Sequence, residues 1–279
     1  MSRPVRAKKS LGQNFLVDPN YQKKIVDALQ LRDDDELIEI GPGTGAITQH
    51  MVARVRKFTA VELDDQLAAA LRDRYADVPS FHLVHQDVMT VPLAELAQNV
   101  EAVKVVGNIP YNITSPLIFK LLARDARPAV ILFMVQKEVA DRIVAPPGDK
   151  EFGALTVGVQ AVASAERLFV VPKGAFRPVP KVDSAVVRIV PQRPFLLSAE
   201  EESDLRTLTR AAFAMRRKQF QKILRSAESY GLSGEEVAAL EARFDLALSV
   251  RPEELSPRQF VQMTRMLREM GYPKTDTAA

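Results

Sequence analysis

The chain has 279 residues and a formal charge of +3, from 38 basic and 35 acidic side chains. Its composition, 47% hydrophobic and 26% charged, is globular and excludes a disordered or collagen-like chain. It contains no cysteine, which excludes disulfides, thiolate zinc sites, iron–sulfur clusters and cysteine nucleophiles. The length suits one large domain or two smaller ones. The longest apolar run, Ala129 to Val135, is far short of the ~20 residues that span a bilayer, so no membrane partner is expected. Met1 to Arg6 is basic with no apolar segment behind it, so a cytoplasmic protein without a secretory signal is expected.

In chain order, Asp18-Pro19 reads as a capped helix start, with Ile25, Val26 and Leu29 on one face. Strands are predicted at Glu36–Ile40, Phe58–Glu62, Phe81–His85, Val103–Gly107 and Val130–Val135. Helices are predicted between them, including Gln66 to Tyr75 and Pro116 to Ala123. Near-continuous apolar strands alternating with helices predict an α/β fold with a mostly parallel sheet covered on both faces. The valine-rich run Ser184 to Val190 is expected to close that sheet. Pro191-Gln192-Arg193-Pro194 reads as a linker. Beyond it, Ser198-Ala199-Glu200-Glu201 and Ser233-Gly234-Glu235-Glu236 are capping-box signatures. Ser256-Pro257 opens a helix with Phe260, Met263, Leu267 and Met270 at helical spacing and Gly271 at its end. A domain at residues 1–193 and a small C-terminal all-α domain at residues 194–279 are therefore predicted, with Lys274 to Ala279 as a frayed tail.

Ile38-Glu39-Ile40 runs into Gly41-Pro42-Gly43-Thr44-Gly45 at a strand-to-helix turn, where glycines let the backbone approach a ligand. The spacing G-x-G-x-G departs from the dinucleotide fingerprint G-x-G-x-x-G. Glu62, at the tip of the second strand, is placed to accept ribose hydroxyl protons, which fits NAD and S-adenosylmethionine alike. Asp87 ends the third strand at the same edge and is either an acceptor for an adenine amine or a turn residue. His50, His82 and His85 are too scattered for a metal site, and none is expected.

The fourth strand leads into Asn108-Ile109-Pro110-Tyr111. Pro110 restricts Ile109 to an extended backbone, which fixes the direction of the Ile109 carbonyl. That carbonyl and the Asn108 side-chain oxygen could grip both hydrogens of an exocyclic amine, while Tyr111 offers a face for a base. The N6 lone pair of adenine is delocalised into its ring. Accepting its two N–H bonds favours a pyramidal nitrogen with the lone pair aimed at an electrophile, a task of positioning that needs neither metal nor covalent intermediate. The competing reading is a turn in which Asn108 bonds its own backbone and Tyr111 packs.

Taken together, these motifs resemble the small-subunit (16S) ribosomal RNA adenine N6,N6-dimethyltransferase family. The resemblance spans Lys9-Ser10-Leu11-Gly12-Gln13-Asn14-Phe15-Leu16, Glu39 to Gly45, Val61-Glu62-Leu63-Asp64, Gln86-Asp87, Gly107 to Asn112 and Phe176-Arg177-Pro178-Val179-Pro180-Lys181-Val182-Asp183-Ser184. It implies that residues 1–193 form a Rossmann-like S-adenosylmethionine-dependent methyltransferase domain and residues 194–279 an RNA-recognition domain. It implies S-adenosylmethionine as cofactor, lined by Asn14, Leu16, Gly41, Glu62, Asp87 and Asn108. Asn108, the Ile109 carbonyl and Tyr111 would hold the target adenine, with Phe176 as a second stacking surface. The implied substrate is two adjacent adenosines near the 3′ end of small-subunit ribosomal RNA in a pre-ribosomal particle, each methylated twice by a monomeric enzyme. Read without the family, Phe176 would be a core aromatic.

Three basic clusters are candidate RNA contacts: Arg3, Arg6, Lys8 and Lys9; Arg167, Lys173, Arg177, Lys181, Arg188 and Arg193; and the acid-free stretch Leu205 to Arg225 with Arg206, Arg210, Arg216, Arg217, Lys218, Lys222 and Arg225. The last reads as a basic helix, which is either a polyanion surface or a solvated face. Alternative functions are a large-subunit RNA methylase, an NAD oxidoreductase, and an assembly factor that binds RNA.

Overall fold

The computed structural model describes Lys8, residues 12–244 and residues 246–274. Arg3, Arg6, Lys9, the Lys9–Leu11 part of the N-terminal motif and tail residues 275–279 lie outside the described residues. β1 (Phe15–Leu16) leads into α1 (Pro19–Ala28), whose start is set by Asp18 accepting the Asn20 N–H at 2.8 Å with Pro19 in the first turn. There follow β2 (Glu36–Ile40), β3 (Lys57–Glu62), α2 (Asp65–Arg74), β4 (Phe81–His85), α3 (Leu93–Leu96), β5 (Lys104–Asn108), α4 (Thr114–Leu121), β6 (Val130–Gln136) and α5 (Lys137–Val144). Next come α6 (Ala154–Gln160), β7 (Ala163–Val171), β8 (Phe176–Arg177) and β9 (Ser184–Pro191), then α7 (Ala199–Ala214), α8 (Phe220–Ser226), α9 (Gly234–Phe244) and α10 (Pro257–Glu269). α4 begins two residues before the predicted Pro116 because a proline in the first helical turn sacrifices no hydrogen bond.

One sheet runs β4-β3-β2-β5-β6-β9-β7. The five strands from β4 to β6 are mutually parallel, in register Ile40 with Val61 and Gly107, Glu62 with His85, and Asn108 with Met134. Parallel pairing therefore brings the carboxyl ends of these strands to one edge, where open α/β sheets bind ligands. β2 is buried at every position and β6 at all but its ends, as a sheet covered on both faces requires. At Gly107 an added Cβ would lie 2.6 Å from the Ile40 carbonyl, so β5 can approach β2 this closely only without a side chain.

β9, expected to close the sheet, instead lies between β6, to which it is antiparallel, and β7. β7 is the true edge. Its run Ala163-Ser164-Ala165-Glu166-Arg167 has exposed polar positions, so it lacks the apolar run that marks the inner strands. A two-stranded ribbon pairs β1 with β8, setting Leu16 opposite Phe176 and Phe15 opposite Arg177.

The chain divides into two compact units. The first runs to Ala140 and resumes over Ala165–Pro191; the second holds Asp141–Ser164 and the chain from Gln192 onward. The predicted division at 193 differs because Asp141–Ser164 joins the helical unit. There Phe152 packs on Phe213 at 6.1 Å, Phe213 stacks on Phe260 at 5.8 Å, and the Gly148 N–H donates to the Glu253 carbonyl at 2.7 Å. These contacts link residues too distant in sequence for any local pattern to reveal.

Within this unit both predicted capping boxes are formed: Glu201 and Glu236 accept the N–H groups of Ser198 and Ser233 at 2.7 Å, and the serine hydroxyls accept in return. Lys274, expected in a frayed tail, donates its N–H to the Ser229 carbonyl at 2.9 Å. Among the described residues no helix is long and apolar enough to cross a membrane.

Candidate active site

A cavity of about 260 Å³ opens at the carboxyl edge of the parallel strands, wholly within the first unit. Asn14, Leu16, Gly41, Glu62, Asp87, Asn108, Ile109, Pro110, Tyr111 and Phe176 all border it. These residues come from well-separated stretches of sequence, and the fold brings every one of them to one place.

The glycine loop forms one wall. Gly41, Gly43 and Gly45 have φ of 65°, 59° and 78°, a region that side chains other than glycine rarely adopt. An added Cβ on Gly43 would lie 3.1 Å from the Phe15 ring, so this turn is closed over by β1. The Glu62 carboxylate accepts the N–H groups of Gly43 at 3.0 Å, Leu63 at 3.0 Å and Asp64 at 2.9 Å. Burial pushes the Glu62 carboxyl above its ordinary value, while those three donors oppose the shift. Beneath the loop Glu39 is 1% exposed and its carboxyl accepts the Thr48 hydroxyl at 2.6 Å. Burial raises it to about 8, the Thr48 donor opposes, and the Glu62 charge adds to the rise.

The segment before β1 is tied across this wall. The Lys8 ammonium pairs with Asp64 at 2.8 Å, and Gln13 donates to the same Asp64 oxygen at 3.2 Å. Asp64 also caps α2, accepting from Gln66 at 2.9 Å and Leu67 at 3.2 Å. Asp87 forms an Asx turn, its Oδ1 accepting the Met89 N–H at 2.8 Å, which is the turn role that its place in the sequence allows.

At the end of β5 the Asn108 side-chain N–H donates to the Asn14 carbonyl at 2.9 Å. That bond settles which way the amide faces and leaves Oδ1 as its acceptor. The competing reading, in which Asn108 bonds its own turn, does not describe it. The Ile109 N–H donates to the Met134 carbonyl at 3.1 Å, and the Thr114 hydroxyl donates to the Pro110 carbonyl at 3.2 Å. The loop is thus pinned on both sides of the Ile109 carbonyl. Tyr111 is half-buried. Phe176 is 1% exposed and belongs to the core, as its reading without the family expects, and it also borders the cavity.

Sequence reasoning missed Phe15, Leu63 and Val88 in the walls. Leu63, 49% exposed directly after the acid-tipped strand, is a large apolar residue where a surface position was due, which was the available signal. Among the described residues no cluster suits a metal ion.

The second unit carries the basic stretch, but not as one helix. It spans α7, a turn and α8. Arg217, Lys218, Lys222 and Arg251 rim a concavity with Gln219, Ser226, Ser249 and the acidic Glu254. Arg216 turns inward instead, donating to the Lys150 carbonyl at 2.7 Å and approaching Glu253 at 3.6 Å. In the first unit Arg188 is likewise internal, donating to the Ala28 carbonyl at 2.7 Å and pairing with Glu166 at 3.3 Å.

The site fits a nucleoside with a short charged tail. Glycines clear backbone space, Glu62 is a buried carboxylate at the strand tip, and apolar side chains supply flat walls. Together with the sheet order, this describes a Rossmann-like S-adenosylmethionine-dependent methyltransferase. Comparison with known proteins narrows the class. The model of the ribosomal RNA adenine dimethylase family matches residues 5–269, and the chain belongs to that family. A ribosomal RNA small subunit methyltransferase A from Geobacter metallireducens is 39% identical over 269 residues, 96% of this chain and 98% of its own. One from Xanthomonas euvesicatoria pv. vesicatoria is 42% identical over 260 residues, 93% of this chain and 96% of its own. Among solved structures, a dimethyladenosine transferase from Plasmodium falciparum matches with a TM-score of 0.81 and 23% identity, covering 93% of this chain and all of that one. The 23S rRNA methyltransferase ErmE matches with a TM-score of 0.71 and 26% identity, over 91% of this chain and all of that one.

Proposed function

We propose that this enzyme dimethylates N6 of two adjacent adenosines near the 3′ end of small-subunit ribosomal RNA, acting as a cytoplasmic monomer on a pre-ribosomal particle. The observation that carries the chemistry is the Asn108 amide, whose N–H group is held by the Asn14 carbonyl so that Oδ1 is left as the acceptor. In the first transfer the Asn108 Oδ1 and the Ile109 carbonyl would accept the two N6 hydrogens and draw the nitrogen towards pyramidal geometry. The nitrogen takes the methyl as S-adenosylhomocysteine leaves and then releases one proton to solvent. In the second transfer one of the two oxygens would hold the single remaining hydrogen. Tyr111 stacks on the base, and Phe176 backs the same wall. Pro110 keeps the Ile109 carbonyl from turning away. S-adenosylmethionine, when bound, supplies a methyl already activated by the sulfonium charge. Glu62 receives its ribose hydroxyls, Asp87 its adenine amine, and Asn14, Leu16 and Gly41 line its path. The target base must leave its stack to reach Tyr111, which favours a loop or flexible end over a rigid duplex.

The choice of subunit rests on the relatives, 39% and 42% identical over nearly the whole chain, against 26% for the large-subunit enzyme. The test is methyl transfer from labelled S-adenosylmethionine to unmethylated small subunits, with the nucleosides identified by mass spectrometry. Dimethyladenosine at two neighbouring positions is expected. Transfer to large-subunit RNA alone would reverse the assignment.

Glu62→Ala is expected to weaken S-adenosylmethionine binding about ten- to a hundredfold by calorimetry, because a charge-assisted hydrogen bond is worth ~1.5–3 kcal/mol. Unchanged affinity would remove Glu62 from the ribose site. For RNA, reversing Arg217 and Lys222 to Glu tests the concavity without disturbing Arg216 and its internal bonds. Binding should weaken, and the slope of log K against log salt should flatten by about 2, one unit for each phosphate that is no longer neutralised. An unchanged slope would make this a solvated face.

A further inference from the structure

α4 joins two walls of the cavity. Its amino end follows the Asn108–Ile113 loop, to which it is tied by the Thr114 hydroxyl on the Pro110 carbonyl at 3.2 Å. Leu117, Ile118 and Leu121 bury its inner face. Nearly two turns further on, about 9 Å along the axis, stands Lys120. Its ammonium donates to the Val88 carbonyl at 2.8 Å and to the Met89 carbonyl at 2.8 Å. Those carbonyls belong to the tight turn that Asp87 closes by accepting the Met89 N–H at 2.8 Å and the Thr90 N–H at 2.9 Å. Asp87 and Val88 border the cavity; Lys120 does not.

We infer that Lys120 is a positioning residue that locks the Asp87–Met89 turn onto α4 and so holds the cofactor-adenine wall in its binding position. Two carbonyls of one turn converge on a single ammonium, an arrangement that fixes the turn's orientation and not merely its presence. Without it the turn keeps its own internal bonds but loses its anchor to the helix. The effect on the reaction passes through Asp87, so the inference rests on the reading of Asp87 as the acceptor for the cofactor's adenine amine. Burial pushes the Lys120 ammonium below its ordinary range, against the pull of the Asp87 carboxylate, which agrees with a cation held between helix and turn.

The test uses the full chain with S-adenosylhomocysteine as probe. Lys120→Met keeps the side-chain stem and removes both bonds. It should raise the dissociation constant about tenfold and leave kcat at saturating S-adenosylmethionine within about twofold, since the Asn108 loop keeps its own anchors. Lys120→Arg, which still reaches two carbonyls, should recover most of the affinity. In an Asp87→Ala background Lys120→Met should add less than twofold, because both changes act through one turn. A normal dissociation constant for Lys120→Met beside a weakened Asp87→Ala overturns the inference and spares the Asp87 reading. A normal dissociation constant for Asp87→Ala overturns the Asp87 reading itself. Loss of kcat and affinity together in both the Met and Arg variants would make Lys120 a structural strut, which also overturns the inference.

Discussion

Asn108→Ala is expected to lower kcat for methyl transfer by about two to three orders of magnitude, the scale seen when one preorganised partner of a developing charge is removed. As the N6 nitrogen attacks, it becomes positive and its N–H bonds, two in the first transfer and one in the second, become stronger donors. On the proposed reading Oδ1 of Asn108 and the Ile109 carbonyl are the acceptors for that change, so their stabilisation is expected to be greatest in the transition state and to appear in kcat more than in KM. The substitution also removes the 2.9 Å bond to the Asn14 carbonyl, which is worth about 1 kcal/mol. A modest fall in Tm should accompany the loss. Asn108→Asp separates the two parts. It keeps an acceptor but sets an anionic oxygen towards the Asn14 carbonyl, so the anchor fails while the acceptor survives. Its rate should fall between the wild type and Asn108→Ala. Single-turnover methylation of small subunits, with a melting curve for each variant, checks both. An alanine variant that retains more than a tenth of the wild-type rate would take Asn108 out of the reacting site.

What could be read in the sequence follows from how far each signal reaches. The inner strands were legible because burial on both faces leaves continuous apolar runs, and the glycine loop because its positive φ values demand that residue. Asn108 was legible as a cavity residue because it ends an inner strand at the ligand edge of the sheet. Its anchor on Asn14 was not, since 94 residues separate them. β7 escaped because exposed polar residues interrupt its opening half. The Asp141–Ser164 segment escaped because its partners, among them Phe213, Phe260 and Glu253, come much later in the chain. The basic stretch was legible as charge, but not as two populations: Arg216 serves the fold of its own unit, while Arg217, Lys218 and Lys222 face outward. Charge is a property of composition; the direction of a guanidinium is decided by which carbonyls the fold leaves open.

Glu39→Gln is expected to stabilise the enzyme increasingly as the pH rises from 6 to about 8, with the gap levelling off above that. The Glu39 carboxyl is raised from 4.5 to about 8 in the folded protein, first by burial, with the Thr48 hydroxyl opposing and the Glu62 charge adding. Between those two values the unfolded chain has released the proton and the folded chain holds it. The folded state therefore binds more protons, and stability falls as pH rises, by up to ~1.4 kcal/mol per unit for this one group. The penalty is absent below about pH 4.5 and fully developed once the folded group ionises near pH 8. Glutamine keeps an oxygen for the Thr48 hydroxyl and never ionises, so it escapes the loss. From pH 6 to pH 8 the variant should gain about 2–3 kcal/mol on the wild type, read as a widening gap in urea midpoints at constant m. Glu62 is pushed in the same direction by its own burial and remains in both proteins, so the gap reports Glu39 together with its coupling to the Glu62 charge. Parallel stability profiles across this range would mean that Glu39 is ionised in the fold and that the loop above it rests on a charge. A widening gap would mean that the Glu39 carboxyl beneath the glycine loop is neutral below about pH 8.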